Sequence, residues 1–253
     1  MSGRFTGKVV LVTGGGSGIG RTTAQAFARE HAVVVVSGRN PERLTETVKL
    51  IEEEGGTADA LTADVSRSDE VQELVQTVVD RHGGLHIAFN NAGTVGRPGL
   101  TADLDEDVWD AVFAANAKGV WLSMKYEIAH MREHGGGVIV NTASNIGAHG
   151  RRAGMSAYAA SKAAVSVLTR NAAREYIGDG IRINAVSPGG TDTAMSFRRG
   201  ESIGDRDERV RSAVPIGRVA ATREVADTVL WLASDQSSFV VGHDLVIDGG
   251  TTA

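Results

Sequence analysis

A repeated alternation constrains this chain more than any other feature. Short apolar runs, Val9-Val-Leu-Val12 and those at 33–36, 87–89, 138–140 and 181–186, are each followed by a longer amphipathic stretch. The runs are short and rich in β-branched residues, as buried strands are. The stretches 41–54, 68–82 and 105–132 carry helical spacing, and each opens on a start signal in Pro, Ser or Asp. Strand followed by helix, repeated, predicts a parallel sheet, because the crossovers are right-handed and lay helices on both faces. The expected fold is therefore α/β, a doubly wound parallel sheet whose ligands bind at the carboxyl ends of its strands.

Composition narrows the function classes. The chain has 253 residues, 42% hydrophobic and 23% charged, enough to bury a substantial core, and no Pro-rich, Ser-rich or charged linker divides it. One domain spanning 1–253 is the simplest reading. A formal charge of −5 argues against a nucleic-acid partner. The absence of cysteine removes disulfides, thiolate catalysis and cysteine-bound metal, and fits a reducing compartment. Neither a signal-like segment nor a membrane-length apolar run occurs, so the expectation is a cytoplasmic protein with no membrane partner. The seven histidines form no close, helix-spaced set with carboxylates, so no metal site is expected.

Directly after the first strand comes Thr13-Gly-Gly-Gly-Ser-Gly-Ile-Gly20, followed by a helical stretch at 21–30. Gly14, Gly18 and Gly20, with Ser17 and Ile19 between them, depart from the usual Gly-x-Gly-x-x-Gly. They still bring bare backbone amides and a helix N-terminus to a pyrophosphate. Folds that bind NAD generally carry an acid at the end of the second strand to hold the ribose 2′-hydroxyl. Here that strand ends Ser37-Gly38-Arg39. A small residue beside a guanidinium accommodates a 2′-phosphate, which favours NADP(H) and leaves NAD(H) possible.

Tyr158 and Lys162, in Ser156-Ala-Tyr-Ala-Ala-Ser-Lys162, share one face of a helix four residues apart. A tyrosine ionises near pH ~10, and a neighbouring ammonium favours the phenolate. Lys162 is thus expected to lower the Tyr158 pKa and make it a proton donor or acceptor near neutrality.

The glycine loop, Asn90-Asn-Ala-Gly93 after the fourth strand, and the Ser…Tyr-x-x-x-Lys set together resemble the compact branch of the short-chain dehydrogenase/reductase family over nearly the whole chain. The resemblance implies a Rossmann-type sheet of about seven strands and a nicotinamide-dependent oxidoreductase. It also implies roles for particular residues. Ser144 would hydrogen-bond the reacting oxygen while Tyr158 passes it a proton. Lys162 would bind the nicotinamide ribose, and Asn116 would support a proton relay to solvent. Asp64 and Val65 would contact adenine, Asn91, Ala92 and Gly93 would floor the cofactor site, and Pro188, Gly189, Thr191 and Thr193 would hold the carboxamide. The terminal run from Val246 to Gly250 would complete the last strand. Residues 194–212 would close over the substrate, and their alternating charges and glycines read as mobile. A homo-oligomer, a tetramer by family habit, would pair the helices at 105–132 and 155–176.

The chain departs from the family pattern at one place. Ser144 and Tyr158 stand 14 positions apart, one more than the resemblance leads us to expect, so the loop bulges or the serine is displaced. Asn145 is the substitute if the register shifts. Arg151 and Arg152 in that loop either attract an anionic substrate or are solvated, and Trp109, Trp121 and Trp231 read as core or interface residues. The leading expectation is an NADP(H)-dependent ketoreductase acting on a small carbonyl or alcohol. The alternatives are an NAD-linked alcohol or sugar dehydrogenase and a non-catalytic nucleotide sensor.

Overall fold

The computed structural model describes residues 3–198 and 200–253; Met1, Ser2 and Arg199 lie outside the described residues. Seven parallel strands form one sheet in the order β3-β2-β1-β4-β5-β6-β7. They are β1 (Val9–Thr13), β2 (Val33–Gly38), β3 (Thr57–Thr62), β4 (Ile87–Asn90), β5 (Gly137–Thr142), β6 (Ile181–Pro188) and β7 (Asp244–Ile247). Chain order reverses between β1 and β4, and the crevice above such a switch point is where wound sheets bind ligands.

Side-chain alternation divides the core into two layers. Val9 and Leu11 of β1 point to one face, where α3 (Ser68–His82), α5 (Gly119–Glu133) and α6 (Ser156–Tyr176) bury Val78, Met131 and Val165. Val10 and Val12 point to the other, against Phe27 of α1 (Gly18–Arg29), Ile51 of α2 (Pro41–Glu53) and Val229 of α8 (Thr222–Ala233). Both faces of each central strand are dry, which is why these strands read as continuous apolar runs. The start signals also act as expected at α2, where the Asn40 side chain accepts from Arg43 N at 2.9 Å and Pro41 takes the first helical position.

Three elements differ from what the sequence suggests. β3, an edge strand with polar Asp59 at its middle, has no apolar signature. The stretch at 105–132 is not a uniform α-helix: α4 (Glu106–Phe113) passes through a π-turn at Ala114–Lys118 into α5. The segment 194–212, expected to be a mobile loop, holds a short 3-10 turn and a helix, α7 (Ile203–Ala213). A capping box between Ser202 and Asp205 starts α7, and buried Arg206 joins it to Asp192 while stacking 4.5 Å over Phe197. Its helical signal is carried by charge pairs and caps rather than by an apolar stripe. No helix among the described residues is long and apolar enough to cross a membrane.

One buried group sets a pH limit on the fold. Glu127 of α5 is sealed from solvent, and burial pushes its carboxyl from near 4.5 to about 8, only partly offset by Asn90 Nδ2 donating to Oε2 at 2.9 Å. Glu127 Oε1 and Asn90 Oδ1 are buried acceptors without a partner among the described residues, a setting that disfavours the charged acid. Below about pH 4.5 this carboxyl is protonated both folded and unfolded. Between there and about 8 only the unfolded chain ionises it, so stability falls as pH rises and levels off above. Glu127→Gln keeps the amide-like pairing and removes the charge. Thermal melts from pH 5 to 9 should show the variant gaining on the wild type with pH, by on the order of 3 kcal/mol at the alkaline end.

Candidate active site

The glycine loop leaves β1 at Thr13 and enters α1 at Gly18. Gly14 and Gly18 take positive φ, 66° and 52°, which glycine adopts at no steric cost. A Cβ on Gly20 would stand 2.2 Å from the Gly14 carbonyl oxygen, so that position tolerates no side chain. Ser17 is the N-cap residue, yet its side chain caps nothing and the first turn of α1 holds no acid. The amides at this helix start therefore remain available to an anion, and the loop fits a dinucleotide's pyrophosphate. Ile19 instead packs against the α1–α8 core layer.

Around this loop the other cofactor candidates converge. Asn91 donates its backbone N–H to Thr13 Oγ1 at 3.0 Å and its side-chain amide to Thr13 O at 3.2 Å, while Ala92 N reaches the same hydroxyl at 3.2 Å. Thr193 lies against Gly18, since a Cβ there would meet its methyl at 3.0 Å. Thr191 donates to Gly189 O at 3.1 Å, and Pro188 O accepts from Asn145 N at 3.1 Å, so the 188–193 segment folds back on itself beside β5. At the end of β2, Arg39 is 78% exposed and its guanidinium lies 4.0 Å from the Asp64 carboxylate. Burial raises the Asp64 pKa, but hydrogen bonds from Ser66 and the charges of Arg39 and Arg67 outweigh it and hold the carboxyl below its ordinary value. Val65 is buried against Gly119 at the start of α5.

The four catalytic candidates sit above β5. Ser144 is buried just past that strand and accepts from Ile146 N at 3.1 Å. Ser144 also lies near enough to the Tyr158 phenol to act on its ionisation. Lys162 follows one helical turn later, with Nζ donating to Thr142 O at 2.6 Å. Asn116, in the π-turn, accepts from Thr94 N and donates to Thr94 O, both at 2.8 Å, and donates to Ser161 Oγ at 3.0 Å. A Cβ on Gly93 would stand 3.0 Å from Asn116 Oδ1 and 3.4 Å from Lys162 Nζ, which places these three together. A π-turn recurs at functional sites in other folds; here it aims a buried amide at the loop after β4.

The electrostatics correct one expectation. Lys162 does not lower the Tyr158 pKa: burial pushes the phenol above its ordinary value, and only the nearby Ser144 opposes this. Burial also drives the Lys162 ammonium from 10.5 down to about 8, and its proton is spent on a backbone carbonyl. Helical spacing cannot report desolvation, and here desolvation outweighs the neighbouring charge.

Between Ser144 and Tyr158 the chain makes a tight turn. Gly150 N donates to Asn145 O at 2.6 Å and Gly147 N to Gly150 O at 3.0 Å, closing a bridge between Ile146 and Gly150. The Asn145 side-chain amide donates to Asp248 at 3.3 Å. Arg151 donates to the carbonyls of Gly147 and Gly150, so it braces the turn rather than facing a ligand, while Arg152 is exposed. Sequence reasoning missed Thr13, Thr94, Thr142 and Ser161, which hold the named residues through backbone or hydroxyl contacts. Only Thr13 carried a signal, its place at the head of the glycine loop.

A family model described as enoyl-(acyl carrier protein) reductase matches residues 14–252. The chain belongs to the short-chain dehydrogenase/reductase family. It is 39% identical to a 3-oxoacyl-(acyl-carrier-protein) reductase of Thermotoga maritima over 98% of both chains. It is 40% identical to a cyclohexanol dehydrogenase of Acinetobacter over 100% of this chain and 98% of that one. Among solved structures, levodione reductase superposes with a TM-score of 0.94 at 36% identity, covering 98% of this chain and 99% of the other. This family member is therefore an oxidoreductase that acts on alcohol or ketone substrates with a nicotinamide nucleotide.

The steric demand at Gly20 is open to a direct test. Gly20→Ala should weaken nicotinamide-nucleotide binding by about tenfold or more, measured by fluorescence titration, with secondary structure intact by circular dichroism. Gly178→Ala, where an added Cβ meets nothing within 4 Å, should leave binding unchanged.

Proposed function

We propose that the protein interconverts a ketone or aldehyde with its alcohol by hydride transfer, prefers NADP(H), and uses Tyr158 as general acid and base. The observation that carries this reading is the gathering of Ser144 beside the Tyr158 phenol with buried Lys162 one turn away and Asn116 next to it at Gly93. Two hydroxyl donors so placed can converge on one substrate oxygen and stabilise the charge that grows on it. The nucleotide, when bound, supplies or accepts the hydride. Gly14, Ser17, Gly18, Ile19 and Gly20 would hold its pyrophosphate, Asp64 and Val65 its adenine, and Asn91, Ala92 and Gly93 would floor the site. Pro188, Gly189, Thr191 and Thr193 would hold the carboxamide, with Tyr158 and Lys162 at the nicotinamide ribose. Asn116 holds the Thr94 backbone and so keeps the floor against α6.

A phenol kept protonated at neutral pH is suited to donate its proton to the forming alkoxide in reduction, and the same group takes it back in oxidation. Arg39, exposed beside side-chain-free Gly38, would meet a 2′-phosphate. The relatives' names span an acyl-carrier thioester and an alicyclic alcohol, so the substrate class includes both carbonyl types. The chain would work as one nucleotide-binding domain in the cytoplasm, with α7 and its approach covering the substrate. Half-exposed Trp109 and Trp121 on α4 and α5, with exposed Val167 on α6, would form the homotetramer faces.

The test is nucleotide oxidation by purified protein against a carbonyl panel that includes cyclohexanone and a 3-oxoacyl thioester, with NADPH and NADH in parallel. Turnover with NADPH is expected, and no turnover on any carbonyl with a nucleotide that still binds would favour the sensor alternative. Tyr158→Phe should lower kcat by about a thousandfold or more with nucleotide affinity unchanged. Arg39→Ala should cut the NADPH over NADH preference in kcat/KM by about tenfold or more; an unchanged ratio would move the assignment to the NAD-linked alternative.

A further inference from the structure

Asp244 opens β7, and its side chain has no exposure to solvent. A carboxyl group removed from water is costly unless its oxygens are satisfied. Three donors do this. Ser187 Oγ donates to Oδ1 at 2.6 Å, and Ser166 Oγ and His149 Nε2 donate to Oδ2 at 2.5 Å and 2.9 Å. Since a carboxylate only accepts, the His149 ring carries hydrogen on Nε2.

Each donor belongs to a different piece of the catalytic set. Ser187 immediately precedes Pro188-Gly189 on β6. Ser166 stands one turn beyond Lys162 on α6, with its hydroxyl also 3.4 Å from the Lys162 carbonyl. His149 lies in the turn at 145–150, between Ser144 and Tyr158. The other ties of that turn are mostly internal: Gly150 to Asn145, Gly147 to Gly150, and Arg151 to both glycine carbonyls. Its near end is joined to the sheet by Asn145 N on Pro188 O and by the longer 3.3 Å contact from Asn145 to Asp248. His149 anchors the far end. A longer turn has more conformations to lose, so an outside anchor matters more.

We propose that Asp244 and His149 are positioning residues for catalysis, a buried carboxylate on β7 that holds the turn between Ser144 and Tyr158 in register with the Lys162 turn. The inference rests on the catalytic reading of Ser144, Tyr158 and Lys162. Neither Asp244 nor His149 touches the reacting atoms; they act by setting how Ser144 and Tyr158 face each other. Misplacement of a catalytic pair by a fraction of an ångström is enough to slow turnover, while the dinucleotide loop, built on β1 and β4, is unaffected.

The experiment compares wild type, His149→Ala and His149→Gln, whose amide can still donate to Asp244. Three quantities are read: kcat at saturating NADPH, NADPH affinity by fluorescence, and amide hydrogen exchange at Gly147 and Gly150. The alanine variant should lose about tenfold in kcat, hold NADPH affinity within about twofold, and exchange faster at both glycines. Glutamine should recover most of the rate and the protection. Asp244→Asn should slow kcat in the same direction.

An alanine variant with kcat within about twofold of wild type would overturn the proposal, even if its turn exchanged faster. So would unchanged exchange, or NADPH affinity falling in step with rate, which would mark general loosening. A wild-type protein inactive on every carbonyl would instead strike the oxidoreductase reading. The exchange data would then decide the anchoring by themselves: faster exchange in alanine sustains it, and equal exchange removes it.

Discussion

The parallel pairing of β1 with β4 is the constraint on which the site depends. Their register sets Thr13 beside Asn90, so the chain leaving β1 and the chain leaving β4 start from the same height. The Thr13 hydroxyl can then take the amides of Asn91 and Ala92 while its own backbone turns into the glycine loop. Gly14 has no Cβ to obstruct this approach, and an added one would stand 2.8 Å from the Asn91 amide. A slip of one residue in that register would reverse every side chain along β1 and expose half of the apolar core. The hydrophobic pattern of one strand thus fixes the position of a polar loop well away from the apolar layers.

Burial is the second governing effect. Tyr158, Lys162 and Glu127 are all shifted chiefly by removal from water, with a neighbour opposing it at Tyr158 and Glu127. Desolvation favours the uncharged forms, giving a phenol that keeps its proton, a lysine that gives its proton up more readily, and an acid that stays protonated near neutrality. The polar contacts around them are consequently specific: Lys162 to a carbonyl, Glu127 to an amide, Asn116 to both backbone polar groups of Thr94. In a dry setting each unmade bond is costly, which limits the arrangements these side chains can adopt.

Much of the site was legible because its residues are tied to local backbone geometry. Gly14, Gly18 and Gly20 announce a tight turn before a helix, and Tyr158 with Lys162 announces one helix face. The strands β1, β2, β4, β5 and β6 showed as apolar runs because both their faces are covered. Elements held by charge or caps did not show: α7 has one buried apolar residue, Val210, beside buried Arg206, and β3 lies at the sheet edge with Asp59 salt-bridged to Arg81. The extra residue before Tyr158 could be counted from the sequence, but not located, because a bulge and a displaced serine differ only in which hydrogen bonds close.

The sequence by itself determined the order and type of the buried strands, the glycine turn before α1, and the residue types available to move a proton, since periodicity and steric permissiveness are local properties. Only the tertiary structure decided that Lys162 turns to Thr142 rather than shifting Tyr158, and that Asn116 sits in a π-turn holding Thr94. It alone decided that Asp244 gathers Ser166, Ser187 and His149 across spans of up to 95 residues. Each of these depends on which groups lose contact with water together, and that is a property of packing between elements distant in the chain.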